Sequence, residues 1–198
     1  MHNIPIVYED DWLVIYDKPS GLLVVPTPKK ESRTLTSITG NYPCHRLDRE
    51  TSGLIIYAKT KAIQEKMMNE FRKREVHKTY IAFVQGRVQK IQGQINNRIE
   101  GQDALTKYKV LEERSNFAIV EVEPVTGRTN QVRIHFKGIG NPLVGEDKFA
   151  FRRDFKLKFK RLCLHAKTLE FKHPVSGKEM KLEIDLAEDL ENFYLENK

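Results

Sequence analysis

A run of five apolar residues, Leu54–Ala58, directly follows the polar segment His45–Gly53. An apolar run of this length, bounded by turn residues, predicts a strand buried in a sheet. The polar segment holds two carboxylates, Asp48 and Glu50, and a basic residue lies two positions before Asp48. A side chain on a loop beside a rigid strand is a common catalytic arrangement, but aspartate is also a preferred turn residue. From these residues alone, a catalytic Asp48 and an Asp48 that only caps a turn are equally acceptable.

The rest of the chain predicts many strands and few helices. The predicted strands are two within residues 1–25, then Leu54–Ala58, Lys78–Gly86, Ala104–Glu112, Phe117–Glu123, Thr168–Phe171 and Glu179–Ile184. The predicted helices begin after Thr60, after Thr129 or Asn130, and near Ala187, and residues 26–43 are predicted to be a loop. Many antiparallel strands with a few helices indicate an α+β domain.

The middle helix has a predicted buried face. Its apolar positions, at helical spacing, are Val132, His135, Phe136 and Ile139. Arg133 is expected to lie off that stripe.

Length and composition limit the class of protein. A chain of 198 residues with 39% hydrophobic and 31% charged residues fits one globular domain over residues 1–198. No apolar run approaches the roughly 18 residues of a membrane span, and the N-terminus lacks the pattern of a secretory signal. Cys44 and Cys163 are expected to be reduced thiols of a cytoplasmic protein.

The net charge of +7 is concentrated in one segment, Lys148–Arg161. Seven of its residues are basic and one is acidic. Either these side chains form a solvated face, or they contact phosphates and release counterions. The alternation of Phe155, Leu157 and Phe159 favours apolar side chains that point into the core.

The segment His45–Gly53 resembles the H-R-L-D-x-x-T-S-G motif of the RluA-type pseudouridine synthases, which isomerise uridine in RNA. Further resemblances follow in the same order along nearly the whole chain. They are Lys18–Leu22 (K-P-x-G-L), Lys78–Tyr80 (K-x-Y), Ala104–Val110 (A-x-T-x-Y-x-V), Thr126–His135 (T-G-R-T-H-Q-I-R-V-H), Asn141–Glu146 and Leu164–Ala166. Asn130 and Val25 depart from residues common in the family, at positions that we do not assign to bond chemistry.

The resemblance implies a pseudouridine synthase fold, with a central mixed, mostly antiparallel sheet, flanking helices and an RNA-binding cleft. It implies isomerisation of a specific uridine by glycosidic bond cleavage, base rotation and formation of a C5–C1′ bond. This reaction involves neither hydrolysis nor redox chemistry, so no cofactor or metal is expected. Asp48 would be the essential carboxylate, Arg133 its cationic partner, and Tyr80 the residue that packs on the uracil.

The resemblance also implies contacts with RNA. Arg46 would fill the stack that the flipped uridine leaves, although it could instead pair with Glu50. Arg128 and Lys18 would contact the RNA backbone or position loops. In the basic segment the resemblance favours RNA contact by Arg152, Arg153, Lys156, Lys158 and Lys160. The expected partner is a stem-loop of ribosomal or transfer RNA, bound by a monomer without an N-terminal S4-like domain.

Two other classes of function are weighed against this one. A catalytically silent RNA-binding or RNA-folding module would keep the basic segment but could lose Asp48, Tyr80 or Arg133, and all three are present. A nucleoside or glycoside hydrolase would need a second carboxylic acid across the scissile bond. Glu50 is too near Asp48 in sequence for this role, and no other acid stands out.

Overall fold

The computed structural model of the chain describes residues 4–29, 31–150 and 157–197. The chain divides into two compact units. The first unit contains Met1–His77 and Ala166–Ile184, and the second contains Lys78–His165 and Asp185–Lys198. Each unit is built from antiparallel strands and helices, described separately below.

The strands of the described residues are, in chain order, β1 (Ile6–Glu9), β2 (Leu13–Lys18), β3 (Tyr42–Pro43), β4 (Ser52–Ala58), β5 (His77–Gln85), β6 (Gln92–Ile95), β7 (Thr106–Glu113), β8 (Phe117–Pro124), β9 (Leu164–Lys172) and β10 (Glu179–Glu183). The helices are α1 (Leu35–Thr39), α2 (Lys61–Lys73), α3 (Gln131–Gly138) and α4 (Glu188–Glu196). None of these helices is long and apolar enough to cross a membrane.

In the first unit, β2 pairs antiparallel with both β1 and β4. Alternate residues of a strand face the same side of a sheet, so Leu13, Ile15 and Ile56 share one hydrophobic core. Helix α2 packs Ile63 and Met67 into this core. It begins as predicted, because the Thr60 hydroxyl accepts a hydrogen bond from the backbone N–H of Ile63 (3.3 Å).

The glycine that follows Ser52 is required by a close backbone approach. Gly53 has a φ of +108°, and a Cβ there would lie 2.3 Å from the carbonyl oxygen of Ala166. Gly53 is also the register partner of Lys18 on β2. The end of the Asp48 segment is therefore fixed by backbone packing within the first unit.

In the second unit, β8 pairs antiparallel with β5 and with β7, and β7 pairs with β6. Phe83 of β5 and Phe117 of β8 pack together, with ring centroids 5.6 Å apart. Phe193 of α4 stacks on Phe83 at 6.0 Å. The strands predicted at Ala104–Glu112 and Phe117–Glu123 are confirmed as β7 and β8, and the final helix is confirmed as α4.

The predicted α+β class is confirmed, but three short elements, α1, β3 and β6, lie where no element was predicted. Helix α1 lies within 26–43, where Thr34 and Ser37 form a capping box around a helix too short to show a period. Strand β6 consists largely of glutamine and glycine, which have little strand preference.

The predicted face of α3 needs correction. Arg133 is buried, with 3% of its surface exposed, whereas Ile139 is 40% exposed. The helix therefore buries a charged position beside its apolar stripe, and a buried charge needs a partner.

We predict that Gly53→Ala lowers the free energy of unfolding by about 2–4 kcal/mol, because the new Cβ collides with the Ala166 backbone at a positive φ. Urea unfolding followed by circular dichroism measures the change. Gly138→Ala is the control, since a Cβ at Gly138 meets no atom within 4 Å. Equal stability of the two variants would contradict the close approach.

Candidate active site

Asp48 lies in the loop that joins β3 to β4 in the first unit. Before it, the Cys44 N–H donates to the Ile56 carbonyl (3.0 Å), and His45 Nε2 accepts from the Ile56 N–H (3.1 Å). After it, the Thr51 N–H donates to the Asp48 carbonyl (3.2 Å). His45 therefore ties the loop to β4, and the backbone on both sides of the partly buried Asp48 is held by hydrogen bonds.

The side chain of Lys18 holds this loop in place through hydrogen bonds. Lys18 is 0% exposed, and its Nζ donates to the carbonyls of Pro19 (2.9 Å), Leu22 (2.8 Å) and Arg49 (3.1 Å). The same turn adds two bonds, from Ser20 Oγ to the Glu50 carbonyl (2.6 Å) and from the Gly21 N–H to the Arg49 carbonyl (2.8 Å). The K-P-x-G-L turn therefore fixes the backbone directly after Asp48.

This geometry corrects the assignment of Lys18 to the RNA-contacting residues. A phosphate cannot reach an ammonium group that has no exposed surface and is bonded to three carbonyl oxygens. Of the two roles predicted for Lys18, the structure supports loop positioning. A buried charge is stable here because hydrogen bonds replace its hydration.

Arg46 is the exposed residue of the Asp48 segment that was predicted to enter the RNA stack. Among the described residues, no ion pair joins Arg46 to Glu50, which was the alternative. Arg49 instead makes an ion pair with Glu31 (2.8 Å). Arg46 is therefore placed at the surface, where an arginine side chain is accessible to a partner.

Tyr80 lies on β5 in the second unit, opposite Val122 of β8. It is 7% exposed. Pairing with β8 fixes the backbone at Tyr80, as a residue that packs on a substrate base would require.

Arg133 is held by a buried carboxylate, Glu146. Its Nε donates to Glu146 Oε2 and its Nη2 to Glu146 Oε1, both at 2.7 Å, and its Nη1 donates to Asn130 Oδ1 (3.1 Å). The two side chains are 4% and 0% exposed. The exposed carboxylate of Asp147 lies 3.8 Å from Nη2, and the Phe149 ring centroid lies 5.2 Å from Cζ. The guanidinium is therefore fixed in plane and position.

The Glu146 carboxylate remains ionised despite its burial. Burial alone raises its pKa, but hydrogen bonds from Arg133 and from the backbone N–H groups of Lys148 and Phe149 lower the pKa below the ordinary 4.5. The two N–H groups donate to Oε1 at 2.8 and 3.1 Å. The result is a buried, fully hydrogen-bonded ion pair.

A polar network positions the helix that carries Arg133. Gln131 Oε1 accepts from the Thr126 hydroxyl (2.6 Å) and the Arg128 N–H (3.0 Å), and its Nε2 donates to Thr106 Oγ1 (2.9 Å). His135 Nδ1 lies 2.9 Å from Thr106 Oγ1. Burial lowers the pKa of His135, which favours the neutral ring. The T-G-R-T motif therefore acts through the backbone and Gln131 to set the start of α3.

Asn130, a departure from the family pattern, has a structural explanation here. It precedes α3 with a φ of 55°, in the left-handed region that asparagine tolerates better than most residues. Its side chain accepts from Arg133 and makes no helix-capping bond.

The basic residues have different environments. Lys158 and Lys160 are exposed, whereas Leu157 and Phe159, which alternate with them, pack on the core of the second unit, as predicted. Arg152, Arg153 and Lys156, together with Phe155, lie outside the described residues. Arg161 makes two 2.7 Å bonds to Asp189, and the Arg128 Nε donates to the Asp103 carbonyl (3.1 Å).

Sequence reasoning missed Glu146, although it named the stretch Asn141–Glu146 as a resemblance. One signal was present, because Glu146 follows Gly145, a residue that suits tight turns. Gly145 has a φ of +77°, and a Cβ there would lie 1.8 Å from the Arg161 carbonyl oxygen. The partner that a buried Arg133 needs was thus 13 residues away in sequence.

Comparison with known proteins gives the class and then the family. Residues 12–137 match the family model described as RNA pseudouridylate synthase, the class of RNA-modifying isomerases that convert uridine to pseudouridine. This range includes Asp48, Tyr80 and Arg133. The chain belongs to the RNA pseudouridylate synthase family.

Named relatives and solved structures agree with this family. The chain is 36% identical to the dual-specificity RNA pseudouridine synthase RluA of Haemophilus influenzae, over 89% of this chain and 90% of the relative. It is also 36% identical to that of Escherichia coli, over 88% and 90%. The human RNA pseudouridylate synthase domain containing 1 superposes with a TM-score of 0.78 at 25% identity, covering 93% of this chain and 84% of that one. The human RNA pseudouridylate synthase domain containing 4 superposes with a TM-score of 0.79 at 24% identity, covering 94% of this chain and 90% of that one. The predicted pseudouridine synthase fold is confirmed.

We predict that Lys18→Met destabilises the protein by about 1–3 kcal/mol and slows isomerisation, because three carbonyls lose their donor. The slope of log affinity for RNA against log salt should not change, since no phosphate contact is removed. Filter binding over a salt series measures this slope. If the slope instead becomes shallower by about one and the stability is unchanged, Lys18 contacts a phosphate of the RNA.

We predict a pH effect on stability from Glu146. Its pKa is lowered in the folded state, so the unfolded chain binds more protons below about pH 5 and the stabilisation is lost as pH falls through the folded pKa. The free energy of unfolding should therefore fall more steeply from pH 5 to 3 in the wild type than in Glu146→Gln, by urea unfolding at each pH. If the free energy of unfolding changes with pH in the same way in both proteins, Glu146 does not form an ionised pair with Arg133.

Proposed function

We propose that the chain isomerises a specific uridine in a stem-loop of ribosomal or transfer RNA, with Asp48 as the essential carboxylate. The observation that carries this proposal is the anchored loop, in which Lys18, Ser20 and Gly21 bond the backbone directly after Asp48. A fixed carboxylate on a loop is what bond chemistry at one sugar carbon requires. The relatives named dual-specificity RNA pseudouridine synthases support RNA as the substrate.

The reaction breaks the N1–C1′ bond, turns the uracil and joins C5 to C1′. The proton on C5 is lost and N1 gains one, so the product is an isomer of uridine. A carboxylate can stabilise or attack the electron-poor C1′, as in retaining glycosidases. Attack on C1′, removal of the 2′-hydrogen and attack on the base ring remain three alternatives for the first step of Asp48.

Arg133 and Tyr80 complete the proposed catalytic set. Arg133 supplies the cation that keeps Asp48 ionised when bound RNA excludes water, since a nearby opposite charge lowers a carboxyl pKa. The buried pair with Glu146 supports this role because it holds the guanidinium in one orientation. Tyr80 packs against the flipped uracil, and its hydroxyl helps to remove the C5 proton.

Basic residues are proposed to hold the RNA. A uridine in folded RNA must leave its stack to reach the partly buried Asp48. We propose that the exposed Arg46 fills the vacated stack, where its planar cation suits both bases and phosphates. Arg128 and the basic segment, including Arg152, Arg153, Lys156, Lys158 and Lys160, contact the RNA backbone. We propose one catalytic domain over residues 1–198 that acts as a monomer in the cytoplasm.

We predict that Asp48→Asn lowers the isomerisation rate by at least about a hundredfold, because the carboxylate is removed with little change in shape. Release of tritium from RNA that carries 5-tritiated uridine measures the rate, and nucleoside chromatography identifies pseudouridine. Asp11→Asn, at an exposed aspartate of the same unit, is the control and should be fully active. Activity in Asp48→Asn would contradict the assignment. No activity in the wild type with intact RNA binding would favour the silent module, and free uracil would indicate a hydrolase.

A further inference from the structure

Glu146 uses both of its oxygens within the second unit. Oε2 accepts from Arg133 Nε, and Oε1 accepts from Arg133 Nη2 and from the N–H groups of Lys148 and Phe149. No part of the side chain is exposed. Glu146 therefore has no surface from which to contact RNA, and any effect on the reaction must pass through these partners.

The position of Glu146 is itself fixed by the backbone. The preceding Gly145 packs so closely on Arg161 that a Cβ would overlap its carbonyl oxygen, and the Glu146 N–H donates to the Leu143 carbonyl (3.2 Å). The position of the carboxylate is therefore set by the backbone around it, and the carboxylate in turn fixes the position of Arg133.

We propose that Glu146 is a positioning residue for the isomerisation. A carboxylate bound to Nε and Nη2 along one edge fixes the plane of a guanidinium, and Asn130 fixes Nη1. Glu146 thereby sets the direction in which Arg133 presents its charge. The inference rests on the proposed catalytic role of Arg133.

The same carboxylate also ties Arg133 to the start of the basic segment. The N–H groups of Lys148 and Phe149 bind the oxygen that accepts from Arg133 Nη2. Gln cannot replace this arrangement, because its amide nitrogen would face a donor on Arg133 or on the backbone.

The test compares single-turnover isomerisation at saturating RNA in Glu146→Gln and in a matched control, Asp189→Asn. Asp189 also holds an arginine of this unit, Arg161, through two 2.7 Å bonds. Glu146→Gln should be slower by about a hundredfold with RNA affinity nearly unchanged, because a misplaced catalytic group lowers the rate and not the binding. Asp189→Asn should lose stability but stay within about twofold of the wild-type rate, since its arginine is not placed in the chemistry.

Two further variants keep the result decisive. Glu146→Asp keeps the charge on a shorter side chain, and its rate should be lower by about tenfold even if Glu146→Gln does not fold. Adding Glu146→Gln to Arg133→Lys should cost less than about threefold, because both changes remove one interaction. A wild-type rate in Glu146→Asp, or full additivity with Arg133→Lys, overturns the positioning role. A wild-type rate in Arg133→Lys alone would instead overturn the catalytic role of Arg133.

Discussion

The buried ammonium group of Lys18 is the interaction on which the Asp48 loop depends. It bonds the carbonyls of Pro19, Leu22 and Arg49 and so joins the turn after β2 to the loop before β4. A lysine without exposed surface is stable only if hydrogen bonds replace its water, and here three carbonyls do so. The close packing of Gly53 on Ala166 fixes the far end of the same loop. A single carboxylate is therefore presented from a backbone that has few alternative positions.

In the second unit, the buried cation Arg133 is likewise held by hydrogen bonds to fixed partners. Arg133 is bonded along one edge by Glu146, and α3 is oriented by Gln131, Thr106 and Thr126. Such pairs add little net stability compared with apolar packing, because desolvation offsets the attraction. Their value lies in fixing orientation, which catalysis requires to within fractions of an ångström. In both units a buried charge with fixed partners supports a residue of the proposed reaction.

The sequence predicted those parts of the protein that local patterns encode. The apolar run of β4, the cap of α2 at Thr60 and the strand carrying Tyr80 follow from spacing and residue type. The family motifs identified Asp48 and Arg133 but did not predict the residues that surround them. The roles of Lys18 and Glu146 could not be read in this way, because burial and partners 13 or 31 residues away decide them. From sequence alone, the lysine of the K-P-x-G-L motif could equally contact a phosphate or position a loop, and only its carbonyl partners decide between the two. Helix α1 is too short and strand β6 too polar to show a period.

The most direct test of the account is a crystal structure of the protein bound to its target stem-loop, in which the distance from the Asp48 carboxylate to the Arg133 guanidinium is measured. The account predicts a charge-assisted hydrogen bond of about 2.7–2.9 Å beside a uridine turned out of its stack. A separation above roughly 6 Å would contradict it, because at that distance Arg133 could no longer keep Asp48 ionised for the reaction.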